Sequence, residues 1–367
     1  MKFSCEKAIL LNAVNAAARA VSKSSSIVTL EGILIEASSD SVLLTGYNLT
    51  TGVRAIINTI PEKTGSIVIN ARLLGDIVRK SPDDLITLDA DENLTVNITC
   101  GMSKFTIMGL SPGDYPELPT PENEKSLTIP ANTLKSMISM TIYAVSDNEN
   151  KPVHTGSLFD VKDGFLNVVS VDGYRMAIRR EKIVSTVDKM SFVVPGPALR
   201  EVERLCGETE ETVNIILGRR HITFEIGDVT VVSRLLEGDF INYEASIPKE
   251  MPVTVVAETK KLQDAVERVS LIISERLKNP IRCHFEDSVL RLTCITPLGR
   301  ANDEIGIDGD GGNIEIGFNN RYLSDAIRAV PDEKIKISLI NAISPCIIQP
   351  IEDDSYLFMV LPVRLKA

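Results

Sequence analysis

The chain has 367 residues but no tryptophan, and only 5% of its residues are aromatic. No stretch approaches 18 uninterrupted apolar residues, which argues against a membrane-spanning helix. The N-terminus lacks an apolar core followed by a small-residue cleavage site, so we expect no signal peptide and a cytoplasmic location. The six cysteines include no CxxC pair, and without an export signal they are predicted to be buried free thiols.

Motifs that carry catalytic chemistry are also scarce. The three histidines, His154, His221 and His284, are far apart, and no GxSxG, HExxH or phosphate-loop pattern occurs. The segment 309–312 is glycine-rich but lacks the helix of a dinucleotide fingerprint and is typical of a turn. The acidic run 352–354 fits a solvated turn better than a weak metal site. We therefore expect no catalytic residue, no metal and no cofactor, although an enzyme is the main competing class.

The chain does contain an internal repeat of about 125 residues. A short alternating strand followed by an amphipathic helix begins at Met1, Leu127 and Val253. The same order returns halfway through each repeat, and alternating Val, Ile and Thr residues predict further strands after each helix. The pattern is βαβββ written six times. It predicts an α+β fold of three tandem domains, 1–122, 123–248 and 249–367, joined by Pro-rich segments.

The predicted helices differ from the rest of the chain in charge. Together they hold 16 Lys or Arg against 8 Asp or Glu, whereas the remaining residues hold 23 against 42 and the net charge is −11. For any single helix a solvated charged face explains the charge as well. The bias over all six suggests a helical surface that faces a polyanion. The helix windows are 5–23, 72–80, 132–144, 198–205, 260–278 and 320–329.

The number of helices limits what such a surface can enclose. Helices packed side by side lie ~8–10 Å apart, so six in a circle leave a hole of only about 8 Å. Twelve leave roughly 25 Å, which is wide enough for duplex DNA with its ~12 Å major groove. The repeat therefore predicts a ring of two chains joined head to tail.

Four short segments, in this order along the chain, resemble the bacterial DNA sliding clamps, the beta subunit of DNA polymerase III. They are Met1–Phe3, Asp172–Met176, Gly238–Phe240 and Leu361–Leu365. The resemblance implies DNA-clamp domains that are doubled βαβββ units. It also implies that the chain forms half of a six-domain ring with helices inside and sheets outside. In function it implies a non-catalytic homodimer that slides on double-stranded DNA without sequence specificity and tethers the polymerase III alpha subunit, the clamp loader and other DNA-processing proteins.

The resemblance also implies a pocket, between the second and third domains, for a short clamp-binding peptide. An apolar groove with a few polar anchors suits such a ligand, and Arg175 and Arg364 are expected to hold its acidic or carbonyl groups. Ile241 and Ser246 depart from the Pro and Val of the best-known members, which predicts an altered peptide preference. The matching positions are His154, Val171, Gly173, Tyr174, Arg175, Met176, Ile241, Ser246, Ile343, Val360, Leu361, Pro362, Val363 and Arg364.

Two further surfaces follow from the resemblance. The ring is expected to close between an edge strand of the first domain and the third domain, through Lys104, Phe105, Thr106, Ile107 and Met108 on one side and Ile272, Ile273 and residues 299–307 on the other. Loose contact with DNA phosphates requires Lys or Arg without base readout. The candidates are Arg19, Lys23, Arg72, Arg79, Lys80, Lys135, Arg200, Arg204, Lys260, Lys261, Arg268, Arg276 and Arg328.

A repeat-built peptide-binding scaffold without DNA remains a third class, which shares the groove but does not explain the charge of the helices.

The ring hypothesis makes a direct prediction about mass. The protein at micromolar concentration is expected to run as a dimer of about 80 kDa, twice the 40.1 kDa of one chain. Light scattering after size exclusion measures this directly. A strict monomer would count heavily against the ring.

Overall fold

The computed structural model describes residues 1–82, 84–120, 125–183, 189–274 and 279–365. In the first repeat, a strand and a helix are followed by three strands, and the same order returns after residue 64. The elements are β1 (Lys2–Glu6), α1 (Lys7–Ala18), β2 (Gly32–Ala37), β3 (Val42–Tyr47), β4 (Thr51–Ile57), β5 (Gly65–Asn70), α2 (Ala71–Lys80), β6 (Leu85–Ala90), β7 (Thr95–Cys100) and β8 (Ser103–Met108).

The second repeat has the same order of elements. Short 3-10 turns at Ile142–Ala144 and Pro152–Thr155 lie between its first helix and the following strand. Its elements are β9 (Lys125–Pro130), α3 (Ala131–Ser139), β10 (Gly156–Lys162), β11 (Phe165–Val171), β12 (Arg175–Lys182), β13 (Lys189–Pro195), α4 (Gly196–Leu205), β14 (Thr212–Leu217), β15 (His221–Ile226) and β16 (Val229–Arg234).

The third repeat differs in having two long strands. These pair in two stretches, 281–285 with 314–318 and 289–296 with 299–306, and the register shifts between them. The strands therefore each span two strand positions, and with that change the βαβββ order predicted from the sequence is confirmed in all six places. The short helix α5 (Tyr243–Ser246) precedes this repeat. The elements of the repeat are β17 (Val253–Glu258), α6 (Thr259–Ser270), β18 (Ile281–Thr296), β19 (Gly299–Phe318), α7 (Asn320–Arg328), β20 (Lys334–Leu339), β21 (Cys346–Gln349) and β22 (Tyr356–Val360).

Three of the predicted helix windows were too long. The window 5–23 was wrong at both ends, because residues 2–6 pair with 85–89 as β1 and the helix ends at Ala18. The window 132–144 breaks after Ser139 and resumes as a 3-10 turn. Within the window 260–278 the helix ends at Ser270, so Ile272 and Ile273 lie outside it, and residues 275–278 of the window lie outside the described residues. Among the described residues, no helix combines the length and apolarity needed to cross a bilayer.

The described strands form three antiparallel sheets. Their orders are β1-β6-β7-β8, β5-β2-β3-β4-β16-β15-β14-β9 and β13-β10-β11-β12-β22-β21-β20-β17-β19-β18. In the second sheet β4 of the first repeat pairs with β16 of the second, and in the third sheet β12 pairs with β22. Backbone hydrogen bonds therefore run without a break from one repeat into the next.

The two compact units of the chain follow these sheets rather than the repeats. The first unit holds residues 1–135 and 197–235, and the second holds the described residues of 136–183, 189–196 and 236–365. Each unit contains one whole repeat and about half of the central one. Pairing across the repeat boundaries explains this division, because a shared sheet binds half of the central repeat to each neighbour.

Each long helix rests on a sheet through one apolar face. In α6, apolar spacing predicts a stripe of Leu262, Ala265, Val266, Val269, Ile272 and Ile273. The first four are buried in the helix, whereas the two isoleucines lie beyond its end. In α1 the packing is close: a Cβ added at Gly46 of β3 would lie 1.9 Å from the Ala17 carbonyl oxygen, so only glycine fits beneath the helix. The six cysteines are free and buried, as predicted. Burial raises the pKa of the Cys5 and Cys206 thiols to about 11, which keeps them protonated and unreactive.

Two neighbouring residues of α1 allow a matched test of this core. Leu10 is fully buried, whereas Ile9 is 46% exposed. Leu10→Ala is expected to lower the free energy of unfolding by about 2–5 kcal/mol, because it removes buried methyl groups and leaves a cavity. Ile9→Ala is expected to change it by about 0.5 kcal/mol or less. Urea unfolding followed by circular dichroism measures both, and equal losses would contradict this packing.

Candidate functional site

The residues predicted to bind a peptide all lie in the second compact unit. Two of them belong to one buried apolar group on the sheet, which we call the groove cluster. It includes the predicted Val171 and Met176, and partly buried side chains such as Phe240 and Ile247 pack against it. Its buried members are Leu158, Val169, Val171, Met176, Ile178, Val193, Tyr243, Ile347 and Met359.

The hairpin between β11 and β12 carries the predicted Gly173 and Tyr174. The Asp172 carboxylate accepts the amide hydrogens of Tyr174 at 2.9 Å and Arg175 at 3.0 Å, which closes the turn. Gly173 has φ = 91°, a conformation that favours glycine, although open space surrounds its missing Cβ. The turn leaves Tyr174 61% exposed at the edge of the groove cluster's sheet.

Arg175 is placed differently from the expectation that it contacts a ligand. Its side chain is only 5% exposed. Its Nε donates to Asp172 at 2.8 Å and its Nη1 to Asp325 at 2.6 Å. Burial by itself lowers the pKa of Arg175, but the hydrogen bonds and charges of Asp325 and Asp172 outweigh it, so the pKa is raised. The guanidinium is therefore charged, and it is engaged by two carboxylates of the fold.

Aromatic rings that the sequence analysis missed surround this arginine. Tyr143 and Tyr322 have their ring centroids 5.3 and 4.6 Å from the guanidinium carbon of Arg175. Tyr322 also stacks on Tyr174, with centroids 5.9 Å apart and planes at 20°. Met359, which pairs with Met176 across β12 and β22, was missed as well. The contacts of Tyr322 and Met359 have no local sequence signal, because each joins residues more than a hundred positions apart, and Tyr143 lies 32 positions before Arg175.

The segment after β22 lies beside the hairpin. Val360 is fully buried in the strand, and the Leu361 amide donates to the Tyr174 carbonyl at 2.9 Å. The Val363 amide donates to the Gly317 carbonyl at 2.8 Å, which holds the segment to β19. Leu361 and Pro362 are half-buried, while Val363 and Arg364 are exposed. The segment therefore presents apolar and cationic side chains next to Tyr174. Lys366 and Ala367 lie outside the described residues.

The remaining predicted peptide contacts lie around the cluster. His154 is buried and its ring meets Phe240 edge-on at 5.6 Å. Ile241 is 39% exposed, and the Ser246 hydroxyl at the end of α5 donates to the Asn242 carbonyl. Ile343 is 80% exposed in the turn between β20 and β21. These side chains are more exposed than the cluster itself, apart from His154.

The basic residues predicted to face DNA divide into two groups. Eight of them form ion pairs, for example Arg268 with Asp303 at 2.6 Å and Arg328 with Glu267 at 2.9 Å. The second group is exposed and forms no ion pair within the described part of the chain: it consists of Lys23, Arg72, Lys80 and Arg200. Arg276 lies outside the described residues. The eight paired residues are Arg19, Arg79, Lys135, Arg204, Lys260, Lys261, Arg268 and Arg328.

The strand predicted to close the ring lies at a sheet edge. Lys104, Phe105, Thr106, Ile107 and Met108 belong to β8, the last strand of the four-stranded sheet, and Met108 is 69% exposed. On the other predicted side, residues 299–306 of β19 pair with β18. Ile272 is half-buried and Ile273 packs against the core of the second unit. The neighbouring Leu271, which was not predicted, is 84% exposed.

The acidic turn near the end of the chain is occupied by its own hydrogen bonds. Asp353 accepts the Ser355 amide at 2.9 Å, and Asp354 forms an ion pair with Arg180. The hydrogen bonds from Ser355 lower the pKa of Asp353. Within the described ranges, no group of three or more His, Cys, Asp or Glu side chains is arranged to hold a metal ion.

Three tandem doubled βαβββ units with continuous sheets define the DNA-clamp class of fold, and comparison with known proteins identifies the family. Residues 1–119, 128–242 and 245–364 match the N-terminal, central and C-terminal domains of the DNA polymerase III beta subunit. The chain is 32% identical to the beta sliding clamp of Halalkalibacterium halodurans over 99% of this chain and 100% of that protein. The chain thus belongs to the family of bacterial beta sliding clamps, the non-catalytic processivity subunit of DNA polymerase III.

Solved structures agree over the whole length. A DNA polymerase III beta subunit from Eubacterium rectale is 34% identical with a TM-score of 0.94, and each chain is covered completely. The DNA polymerase sliding clamp from Bacillus subtilis is 28% identical with a TM-score of 0.96, again with complete coverage of both chains. The three-domain clamp fold is therefore common to this chain and these proteins.

The buried His154 predicts that acid destabilises the fold. Burial, and then the charge of Lys151, lower the pKa of His154 below its ordinary value of 6.5. The unfolded chain therefore takes up a proton first as the pH falls, so the stability present above pH 6.5 is lost as the pH falls through the folded pKa. Between about pH 7 and about pH 5.5, the urea midpoint of His154→Gln is expected to fall less than that of the wild type. Equal falls would show that His154 does not contribute.

Proposed function

We propose that two copies of this chain join head to tail into a ring that encircles duplex DNA, slides along it, and tethers the replicative polymerase. The observation that carries the proposal is the charge of the helices in a protein of the clamp family. Within their observed bounds the six longer helices hold 12 Lys or Arg against 6 Asp or Glu, in a chain of net charge −11. Such a segregation suits a helical surface that faces a polyanion, with an acidic exterior that avoids it.

Contact with DNA in this proposal is made to phosphates alone. Sliding requires that no base be read, and Lys or Arg bound to phosphate carries no sequence information. Lys23, Arg72, Lys80 and Arg200 are the strongest candidates, because they are exposed and form no ion pair among the described residues. The eight ion-paired cations would have to exchange a carboxylate for a phosphate, so we assign them a weaker part. Release of counterions makes this contact sensitive to salt.

Partner proteins are proposed to dock at the groove cluster through a short peptide. The cluster supplies an apolar base, and Tyr174, Val363 and Arg364 supply exposed side chains beside it. Apolar side chains of the peptide would lie against the cluster while Arg364 binds a carboxylate or carbonyl. By the family, the partners are the polymerase III alpha subunit, the clamp loader and other DNA-processing proteins.

Closure of the ring is proposed to use β8 of one chain and the third domain of the other. An edge strand with exposed Phe105 and Met108 offers unpaired backbone groups and apolar surface together. Leu271, Ile272 and residues 299–307 are the proposed counterpart on the partner. Since the two surfaces differ, each chain uses both, and two chains close the ring. DNA and the polymerase are the ligands, so we place the protein in the cytoplasm.

Retention on circular and linear DNA tests this proposal. The protein is loaded with a clamp loader and ATP onto a nicked plasmid, and half of the sample is then cut once with a restriction enzyme. At moderate salt the ring is expected to remain on the circle and to run off the cut molecule, because nothing but topology holds it. Gel filtration of labelled protein measures the retained fraction.

A closure variant sharpens the test. Phe105→Glu together with Met108→Glu leaves the basic helices unchanged but places charges at the β8 edge, so it is expected to be lost from the circle too. The matched control is Arg72→Gln in an otherwise wild-type chain, which alters DNA contact and leaves closure intact. Equal retention of the wild type on circular and cut DNA would mean ordinary electrostatic binding, and no retention on either would favour a peptide-binding scaffold without DNA.

A further inference from the structure

A charged anchor joins the groove hairpin to a helix far away in the sequence. Asp325 lies in α7, 150 residues after Arg175, and its Oδ2 accepts Nη1 of that arginine at 2.6 Å. Asp172 of the hairpin accepts the hydrogen bond from Nε of Arg175, so two carboxylates share one guanidinium. The side chains of Arg175, Asp172 and Asp325 are 5%, 12% and 24% exposed. Because the guanidinium is shielded from water, it depends on both partners.

The same helix supplies a ring to this anchor. Tyr322 precedes Asp325 by one turn of α7, so both side chains lie on one face of the helix. Its ring lies 4.6 Å from the Arg175 guanidinium and stacks on Tyr174 at 5.9 Å. The hairpin therefore contacts α7 twice, through charge at Asp325 and through stacking at Tyr322.

The position of the hairpin in turn sets that of the final segment. The Tyr174 carbonyl accepts the Leu361 amide at 2.9 Å, and Arg175 pairs with Val360 in the sheet. Tyr174 and Leu361 are two of the residues proposed to contact the peptide. Because of these contacts, we expect a shift of Arg175 to move both Tyr174 and Leu361.

We propose that Asp325 is a positioning residue for the peptide groove: it holds Arg175, and through it the Asp172–Arg175 hairpin, Tyr174 and Leu361, in the geometry that receives the peptide. The inference rests on the proposed function for its ligand, although Asp325 itself need not touch that ligand. A groove that is already ordered loses less conformational entropy on binding, so affinity depends on the anchor. Without Asp325, one carboxylate remains beside the guanidinium, and only the ring of Tyr322 still joins the hairpin to α7.

The first measurement needs no ligand. Hydrogen exchange of the peptide-free dimer is compared for the wild type, Asp325→Asn and Asp264→Asn. The control Asp264→Asn makes the same chemical change in α6, where Asp264 forms an exposed ion pair with Lys260. In Asp325→Asn the amides of Tyr174, Arg175 and Leu361 are expected to exchange about tenfold faster or more. Amides of β17 and β20, in the same sheet but away from the hairpin, are expected to keep their wild-type rates.

The second measurement is peptide affinity. The probe is a fluorescein-labelled synthetic peptide copied from the clamp-binding segment of the polymerase III alpha subunit. By fluorescence anisotropy Asp325→Asn is expected to bind it about 10-fold to 100-fold more weakly, and Asp264→Asn within about twofold of the wild type. Asp325→Glu, which keeps the charge, is expected to recover part of the loss. Tyr174→Ala is expected to cost less in the Asp325→Asn background than in the wild type, because the ring is no longer held.

The outcomes separate the two proposals. Wild-type chain that fails to bind the peptide overturns the proposed partner groove, whereas the exchange rates still decide whether Asp325 holds the hairpin. Unchanged exchange at the hairpin, wild-type affinity in Asp325→Asn, or an additive double-mutant cycle with Tyr174→Ala overturns the positioning role. If Asp325→Asn does not fold, Tyr322→Leu decides by the same exchange measurement: faster exchange at the hairpin supports the anchor and wild-type rates overturn it.

Discussion

Pairing of backbone edges is the constraint on which the rest of this structure depends. A strand at the border of a repeat has unpaired N–H and C=O groups, and those groups need partners. β4 finds them in β16 and β12 finds them in β22, so each joint between repeats is an ordinary antiparallel ladder. The sheets then bind half of the central repeat to each neighbour, which is why the compact units and the repeats have different boundaries. β8 lies at the edge of its sheet, and the proposed ring uses that edge to continue the pairing between chains.

The proposed peptide groove depends on this continuity. The hairpin that carries Tyr174 and the strand that ends at Val360 come from different repeats, and they lie together only because β12 and β22 pair. The ladder fixes the register of the two strands. Arg175 adds a contact outside the sheet, because its buried guanidinium donates to Asp325 of α7. The cost of burying the guanidinium is offset by two carboxylates and two rings, and a site that needs all four groups has one well-defined geometry.

Local patterns in the sequence predicted much of the fold. Alternation of Val, Ile and Thr predicted β6, β7 and β8, and the spacing of Leu262, Ala265, Val266 and Val269 predicted the buried face of α6. The same reasoning placed helix ends poorly. At 272–273 two isoleucines continue an apolar pattern past Ser270, but tertiary contacts take the chain out of the helix there. At the other end of the chain, residues 5–6 look helical in isolation and are strand because residues 85–86 pair with them.

The candidate site, too, was determined partly by the sequence and partly by the tertiary structure. By itself the sequence determined the threefold repeat, the doubling of each copy and the charge of the helices, because each of these depends on neighbouring residues or on their order. Its resemblance to the clamps predicted the residues of the groove. Only the tertiary structure decided the partners and the burial of Arg175, since Asp325 lies 150 residues away in the sequence. It also separated the eight ion-paired cations from Lys23, Arg72, Lys80 and Arg200. A charge is a property of one residue, whereas its availability depends on which opposite charges the fold brings within a few ångströms.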